Sequence, residues 1–323
     1  MITKAKNENA ENTAKGHRRT KNPLKKMSWQ LHLIIVLPLI FLIVFTYVPM
    51  FGLRLAFVEK LDYQKGIWGS KFCGFDWFKY MFTAMPEFYK VFRNTLIIAT
   101  SKLVLGFPVP IIVSLLLNEL RRTKVKKLLQ TIYFMPYFLS WVILGSIIKT
   151  IFQQGGMFDG FLSWFGYRGD HIWLQSDFSF VMIVIFTDIW KGFGYGAIIY
   201  LAALTGIDPT LYEAAEMDGA NRFQQTIHVT LPSMMAIIIL NLILNLGSVI
   251  NANFDQIYVL YNPLVYDWGD IIDTYVYRIT LEGTSAANYP IGTAIGLFKS
   301  VISLILICTS NLIVKKTSDF QIL

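Results

Sequence analysis

The chain has 323 residues and a formal net charge of +8, with 54% apolar and only 15% charged residues. A soluble domain of this length carries more charge, so the composition excludes a solvated globular protein and fits a helical chain that crosses a membrane several times. Aromatic residues, 15% of the total, suit the belts that sit at lipid headgroups.

Residues 1–28 are polar and basic, with Lys4, Lys6, Lys15, Arg18, Arg19, Lys21, Lys25 and Lys26. They read as a disordered tail beside an anionic cytoplasmic surface rather than as a nucleic-acid-binding arm. Leu31–Met50 is span 1. It is long enough to cross, and no small-residue cleavage site follows it, which argues against a secretory signal. Residues 51–92 mix aromatics such as Trp68, Phe72, Phe75 and Trp77 with charges, and predict an outer loop with interfacial helices. Span 2 covers Thr95–Leu117, kinked by Pro108 and Pro110. A basic inner loop, Asn118–Lys127, leads to span 3 at Leu129–Phe152. Span 4 is Phe180–Leu204, span 5 Met234–Tyr258 and span 6 Ile291–Val314, with outer loops at 153–178 and 259–288. The expected organisation is a tail (1–28), a first span with its outer loop (29–94), a core (95–316) holding a polar loop at 206–232, and a short tail (317–323). The fold class predicted is an all-α polytopic membrane protein.

Basic residues are dense in the tail, in the 118–127 loop and at Lys315 and Lys316. The outer loops at 153–178 and 259–288 carry acids (Asp159, Asp170, Asp177, Asp267, Asp270, Asp273, Glu282) but only Arg168 and Arg278. The first outer loop is an exception, with basic residues from Arg54 to Arg93. The positive-inside rule therefore puts both ends, and the 206–232 loop, in the cytoplasm.

Chemistry of other kinds has no foothold. No GxxxxGK[ST] loop is present to cradle ATP phosphates. His17, His32, His171 and His228 are scattered, and no Ser/His/Asp or Cys/His set appears. Cys73 and Cys308 are expected to stay unpaired and to bind no metal. The Gly192–Gly196 stretch, GFGYG, lies inside span 4 and reads as small residues for close helix packing. The chain is expected to be no enzyme and to hold no cofactor, so any energy source is another protein.

Polar residues inside the spans are the candidates for a transport path. Asn241, Asn245, Ser248 and Asp255 are spaced to share one face of a continuous span 5, with Asn251 and Asn253 nearby. Amides cost free energy in hydrocarbon, so this face looks at protein or at water. Two readings fit: hydrogen bonds to a sugar's hydroxyls, or glue between helices. Trp190, Phe193, Tyr195 and Tyr258 offer rings for a pyranose face, or simple packing. Asp188 and Lys191, three apart, are expected to pair, with Lys299 as a second partner for Asp188. Lys102 and Lys149 are expected to snorkel to the membrane edge.

The most informative stretch is Asp208–Pro232, DPTLYEAAEMDGANRFQQTIHVTLP. Asp208 before Pro209 is an N-cap followed by proline at the first helical position. Leu211, Ala214 and Ala215 fall on one face, with Glu213 and Glu216 off it. Gly219 ends the helix in a turn, and Leu231-Pro232 opens span 5. Glu213-Ala214-Ala215, three residues, Gly219, nine residues, then Val229-x-Leu231-Pro232 resembles the EAA motif of binding-protein-dependent ABC importer permeases. The single departure is Val229 where the family has isoleucine. The resemblance spans roughly residues 85–315. Stretches such as WKGFGYGAIIYLAALTGIDPTLYEAAEMDGA and FDQIYVLYNPLVY are similar to permeases of oligosaccharide and polysaccharide importers, including those for alginate and lipo-oligosaccharide-type cargo. It implies a second related permease, two ATPase subunits that hold ATP and Mg, and an extracellular or periplasmic solute-binding protein. It also implies that Leu211, Glu213, Ala214, Ala215, Asp218, Gly219 and Pro232 couple to the ATPase, and that sugar contacts lie on span 5. A same-superfamily permease for another solute and an ion-coupled carrier are the alternatives. The latter predicts helices broken at mid-membrane.

Overall fold

The computed structural model describes residues 23–317, apart from Arg121, Arg168, Asp170, Thr284, Ala286 and Ala287. The tail residues up to Lys21, and Arg168 and Asp170, therefore lie outside the described part. The chain divides into two units, Met1–Arg54 and Leu55–Leu323. In the first, a helix starts at Pro23, ahead of the expected Leu31, and runs to Leu42. A π-helical turn, Ile43–Tyr47, and a short helix, Val48–Met50, extend it. From Leu33 to Phe51 its apolar side chains are exposed, as on a helix surrounded by lipid.

In the second unit every long element is helical. Outside the membrane spans, Trp77 donates its indole N–H to the Val58 carbonyl at 2.7 Å and pins the 58–72 segment to the helix Asp76–Thr83. Span 2 is longer than expected, Pro86–Asn118, and steps at Phe107 just before Pro108, where proline removes a backbone donor. Span 4 is a straight run, Asp177–Thr205, and span 6 runs Asn288–Thr317. Among the described residues five helices are long and apolar enough to cross a membrane, or six if a bent pair counts as one span.

That pair corrects the reading of span 3. Instead of one helix over Leu129–Phe152, the chain forms Thr123–Phe138, turns through 100° and resumes at Trp141. Pro136 sits in the last turn, Leu139 and Ser140 are extended, and Ser140 accepts from the Ile143 amide at 3.3 Å to cap the new helix. Span 5 is shifted from its expected place. Its helix runs Arg222–Gly247, with a π-helical turn at Thr226–Thr230 ahead of Pro232, and ends well before Tyr258; a separate helix, Phe254–Leu260, begins after a non-helical stretch. Asn253 at that junction has φ +70°, a left-handed conformation that asparagine tolerates better than most side chains. Breaks of the kind an ion-coupled carrier predicts are thus present, in a chain that also carries an elbow such a carrier does not need.

Three apolar clusters hold the helices. Ile98, Leu144, Phe180, Val184, Ile257 and Leu260 join spans 2, 3 and 4 to the helix after the break. Phe88, Val91, Ile272, Tyr275 and Ile295 join span 2 to the 259–288 segment and span 6. Tyr200, Leu204 and Met234 join spans 4 and 5 near the elbow. Between membrane helices this stabilisation comes from close packing rather than from leaving water. Gly194 shows how close: a Cβ there would lie 2.1 Å from the Tyr133 carbonyl oxygen of span 3. The packing role expected of GFGYG is seen at this glycine.

Candidate functional site: a membrane cavity and an elbow

A cavity of about 230 Å³ lies between spans 2, 4 and 5. Lys102, Pro110, Asp188, Phe193, Asn241 and Asn245 line it. Its polar end is one network. Lys102 is 9% exposed, and its ammonium donates to the Ala252 carbonyl at 2.9 Å and to Gln256 Oε1 at 2.5 Å, and lies 3.4 Å from Asp188. Asn253 donates to Asp188 at 2.8 Å. Gln256, fully buried, donates to the Val184 carbonyl at 2.7 Å and to Thr187 at 2.9 Å. A cation in the membrane is tolerated only with such partners, and here they also fix the broken end of span 5 against spans 2 and 4.

Several charge expectations are corrected by this arrangement. Lys102 does not snorkel; it is buried, because Asp188 and two neutral acceptors take its charge. Lys191 does not pair with Asp188. It donates instead to the carbonyls of Tyr137, at 3.0 Å, and Leu139, where span 3 breaks, and to that of Pro136, at 3.4 Å, which also accepts from the Leu139 amide. A cation at a helix C-terminus also meets the favourable end of the helix dipole. Lys299 pairs with Asp273, 2.7 Å away, not with Asp188. Lys149 is exposed, as snorkelling requires.

The span 5 stripe is split by the break, so Asn241, Asn245, Ser248 and Asp255 do not share one continuous helix face. Asn241 and Asn245 line the cavity, and their amides donate along their own helix, to the carbonyls of Ile237 at 3.0 Å and Asn241 at 2.8 Å. Ser248 likewise bonds its own helix, at 3.1 Å to the Asn245 carbonyl. Cross-helix bonding falls to Asn253. Asp255 is exposed. Among the rings, Phe193 lines the cavity, while Tyr195 stacks flat on Tyr137 with centroids 4.1 Å apart. Trp190 is 46% exposed and is not among the cavity-lining side chains. Tyr258 joins a separate cluster of rings.

The elbow is built as its residue types dictate. Asp208 accepts from the Thr210 amide at 2.9 Å and caps the helix Pro209–Met217; that bond holds the Asp208 carboxyl below the usual aspartate range. Gly219, at φ +81°, carries the left-handed turn, and the Ala220 amide closes onto the Ala215 carbonyl at 2.9 Å. Asn221 and Gln224 form a capping box for the next turn. The helix lies on its Tyr212–Ala215 side: the Tyr212 hydroxyl meets Thr230 at 2.9 Å. Leu211 and Ala214, expected to share a face with Ala215, are exposed, as are Glu213 and Asp218. None of the elbow helix is fully buried.

Residues 106–319 match the family described as binding-protein-dependent transport system inner membrane component. The chain belongs to that family. It is a permease, the membrane-spanning subunit of a binding-protein-dependent ABC importer. Protein LplB of Bacillus subtilis (strain 168) is 41% identical over 295 residues, 91% of this permease and 90% of the relative. The polygalacturonan/rhamnogalacturonan transport system permease protein YteP of the same organism is 39% identical, over 90% and 88% of the two chains. The crystal structure of a bacterial ABC transporter involved in import of the acidic polysaccharide alginate superposes with a TM-score of 0.81 at 34% identity, over 90% of this permease and 96% of that chain. A bacterial alginate ABC transporter in complex with an alginate pentasaccharide-bound periplasmic protein gives 0.82, also at 34%, over 92% and 98%.

The permease uses residues that pattern reading missed. Gln256 looked like an ordinary polar residue in an assumed helix, and only its burial reveals it. Glu119 and Arg222, 3.2 Å apart, tie the end of span 2 to the elbow; nothing in their spacing, 103 residues, signals it. Lys102 did carry a signal, a lone cation deep in an apolar run, which demands a carboxylate in another span. Among the described residues, no group of His, Cys, Asp and Glu is arranged to hold a metal ion.

Proposed function

We propose that this permease conducts an oligosaccharide into the cell, a fragment of an acidic polysaccharide being the favoured cargo. It would work beside a second, related permease, with two ATPase subunits that bind ATP and Mg and a solute-binding protein that delivers cargo from outside. The chain itself makes and breaks no bonds and holds no cofactor. Both termini and the elbow lie in the cytoplasm, in keeping with the basic density of the inner segments. The observation that carries this reading is the pairing of an exposed EAA elbow with a polar cavity reached along the helix that follows it. Relatives named for polygalacturonan and alginate support the cargo class.

In this mechanism the ATPase grips the exposed side of Pro209–Met217, with Glu213 as polar contact, Leu211 as apolar contact, and Ala214 and Ala215 permitting close approach. Asp218 and Gly219 turn the chain, and Pro232 sits inside the span 5 helix just after the π turn Thr226–Thr230, where its missing amide is accommodated. Movement of the elbow passes directly into span 5, where Asn241 and Asn245 face the cavity and offer donors and acceptors to hydroxyls. Ser248, Asn253, Asp255 and Tyr258 continue the path, with Trp190 and Tyr195 on span 4. ATP closure of the motor would shift a two-state equilibrium between inward-open and outward-open arrangements.

The complete importer in proteoliposomes tests this. A panel of oligogalacturonates, oligoalginates and neutral maltooligosaccharides should include at least one that is taken up only with ATP and binding protein, acidic members ahead of neutral ones. Uptake of amino acids or phosphate, with none of the oligosaccharides moved, would overturn the cargo class.

A further inference from the structure

Phe254 begins a row of rings that the cavity does not use. It stacks on Tyr258 with centroids 5.2 Å apart and planes 16° off parallel. Tyr258 meets Tyr277 at 4.9 Å and Tyr261 at 5.9 Å, and Tyr261 meets Tyr266 at 5.2 Å. The hydroxyls of Tyr258 and Tyr277 are 3.4 Å apart. Tyr258 is 37% exposed and the other four rings are half-buried, so each keeps part of its surface open. The row starts next to the cavity: Asn253 holds the cavity-lining carboxylate of Asp188, and Phe254 is the following residue. It then runs along the segment beyond the break in span 5, the end of that span opposite the elbow.

We propose that this row is an entry track for an extended oligosaccharide, which slides ring by ring from the outer end of the permease into the cavity. The proposal rests on the oligosaccharide reading above. A pyranose has apolar C–H faces and a rim of hydroxyls. Tyrosine offers a matching pair, an apolar face and a hydroxyl that both donates and accepts. Successive rings in contact give many weak, equivalent positions, and conduction requires sites that hold cargo loosely enough to release it. An interfacial aromatic belt would also place tyrosines near this depth. A belt turns its rings separately toward lipid, whereas these touch one another in sequence and lead to a polar cavity.

The test uses the complete importer in proteoliposomes, with galacturonate disaccharide and pentasaccharide as probes. Tyr258→Ala and Tyr277→Ala should each slow pentasaccharide uptake about fivefold, the worth of one aromatic contact, and slow disaccharide uptake little. Tyr258→Phe keeps the ring but loses the hydroxyl, and its pentasaccharide uptake should fall between wild type and Tyr258→Ala. ATP hydrolysis stimulated by loaded binding protein should be unchanged in Tyr277→Ala, which reports an intact, coupled complex; if Tyr277→Ala fails to assemble, Tyr277→Leu carries the same expectation. Equal losses for both probes, or no loss for either, would overturn the track while leaving the cargo class standing. A wild-type importer that moves no oligosaccharide would remove both.

Discussion

Lys102 is the residue on which the membrane-embedded chemistry turns. Its side chain is 9% exposed and that of Asp188 27%, so removing the ammonium strands a carboxylate. Lys102→Met is expected to cost about 3 kcal/mol or more, the usual penalty for breaking a buried pair from one side. Lys102→Met combined with Asp188→Asn should recover much of that, since no charge is then left alone. Thermal unfolding of the four members of this double-mutant cycle in detergent measures the coupling. Additive losses would show that the two groups do not stabilise each other. Gln256 and Asn253 belong to the same unit, and both were invisible as such in the sequence: an amide's role depends on which carbonyl faces it, and that is set by the break in span 5.

At the scale of elements, the long helices were legible because runs of apolar residues of spanning length have few other uses. The elbow was legible for a different reason. An N-cap, a proline at the first helical position and a glycine that must turn left-handed each demand one local geometry, and they recur here at the required spacing. The two breaks were not. Pro136 in span 3 and the Gly247–Asn253 stretch in span 5 carry turn-forming residues, but a continuous apolar count runs straight over them. The partner that makes the first break tolerable is remote: Lys191 of span 4 donates to the Tyr137 and Leu139 carbonyls of span 3. Lys191→Met should therefore lower stability by about 1–3 kcal/mol through unsatisfied acceptors, while the ratio of acidic to neutral oligosaccharide uptake stays as in wild type. A changed ratio with stability intact would instead make Lys191 a cargo contact.

At the scale of the whole molecule, the proposed coupling makes the elbow a lever on span 5. The elbow hangs outside the spans with its Leu211–Glu213–Ala214 surface exposed, is tied to the bundle through Tyr212–Thr230 and Glu119–Arg222, and continues into the helix whose asparagines face the cavity. Force applied at one end has a covalent path to the other, and in the proposed mechanism the left-handed turn at Gly219 is the joint. The measurement that tests this most directly is the amount of oligosaccharide imported per ATP hydrolysed by the reconstituted importer carrying Gly219→Pro. Proline cannot adopt the φ of +81° found there, and forcing it costs more than about 1 kcal/mol. Insertion and ATP hydrolysis should persist while import per ATP falls roughly tenfold or more. Import per ATP equal to wild type would contradict the account.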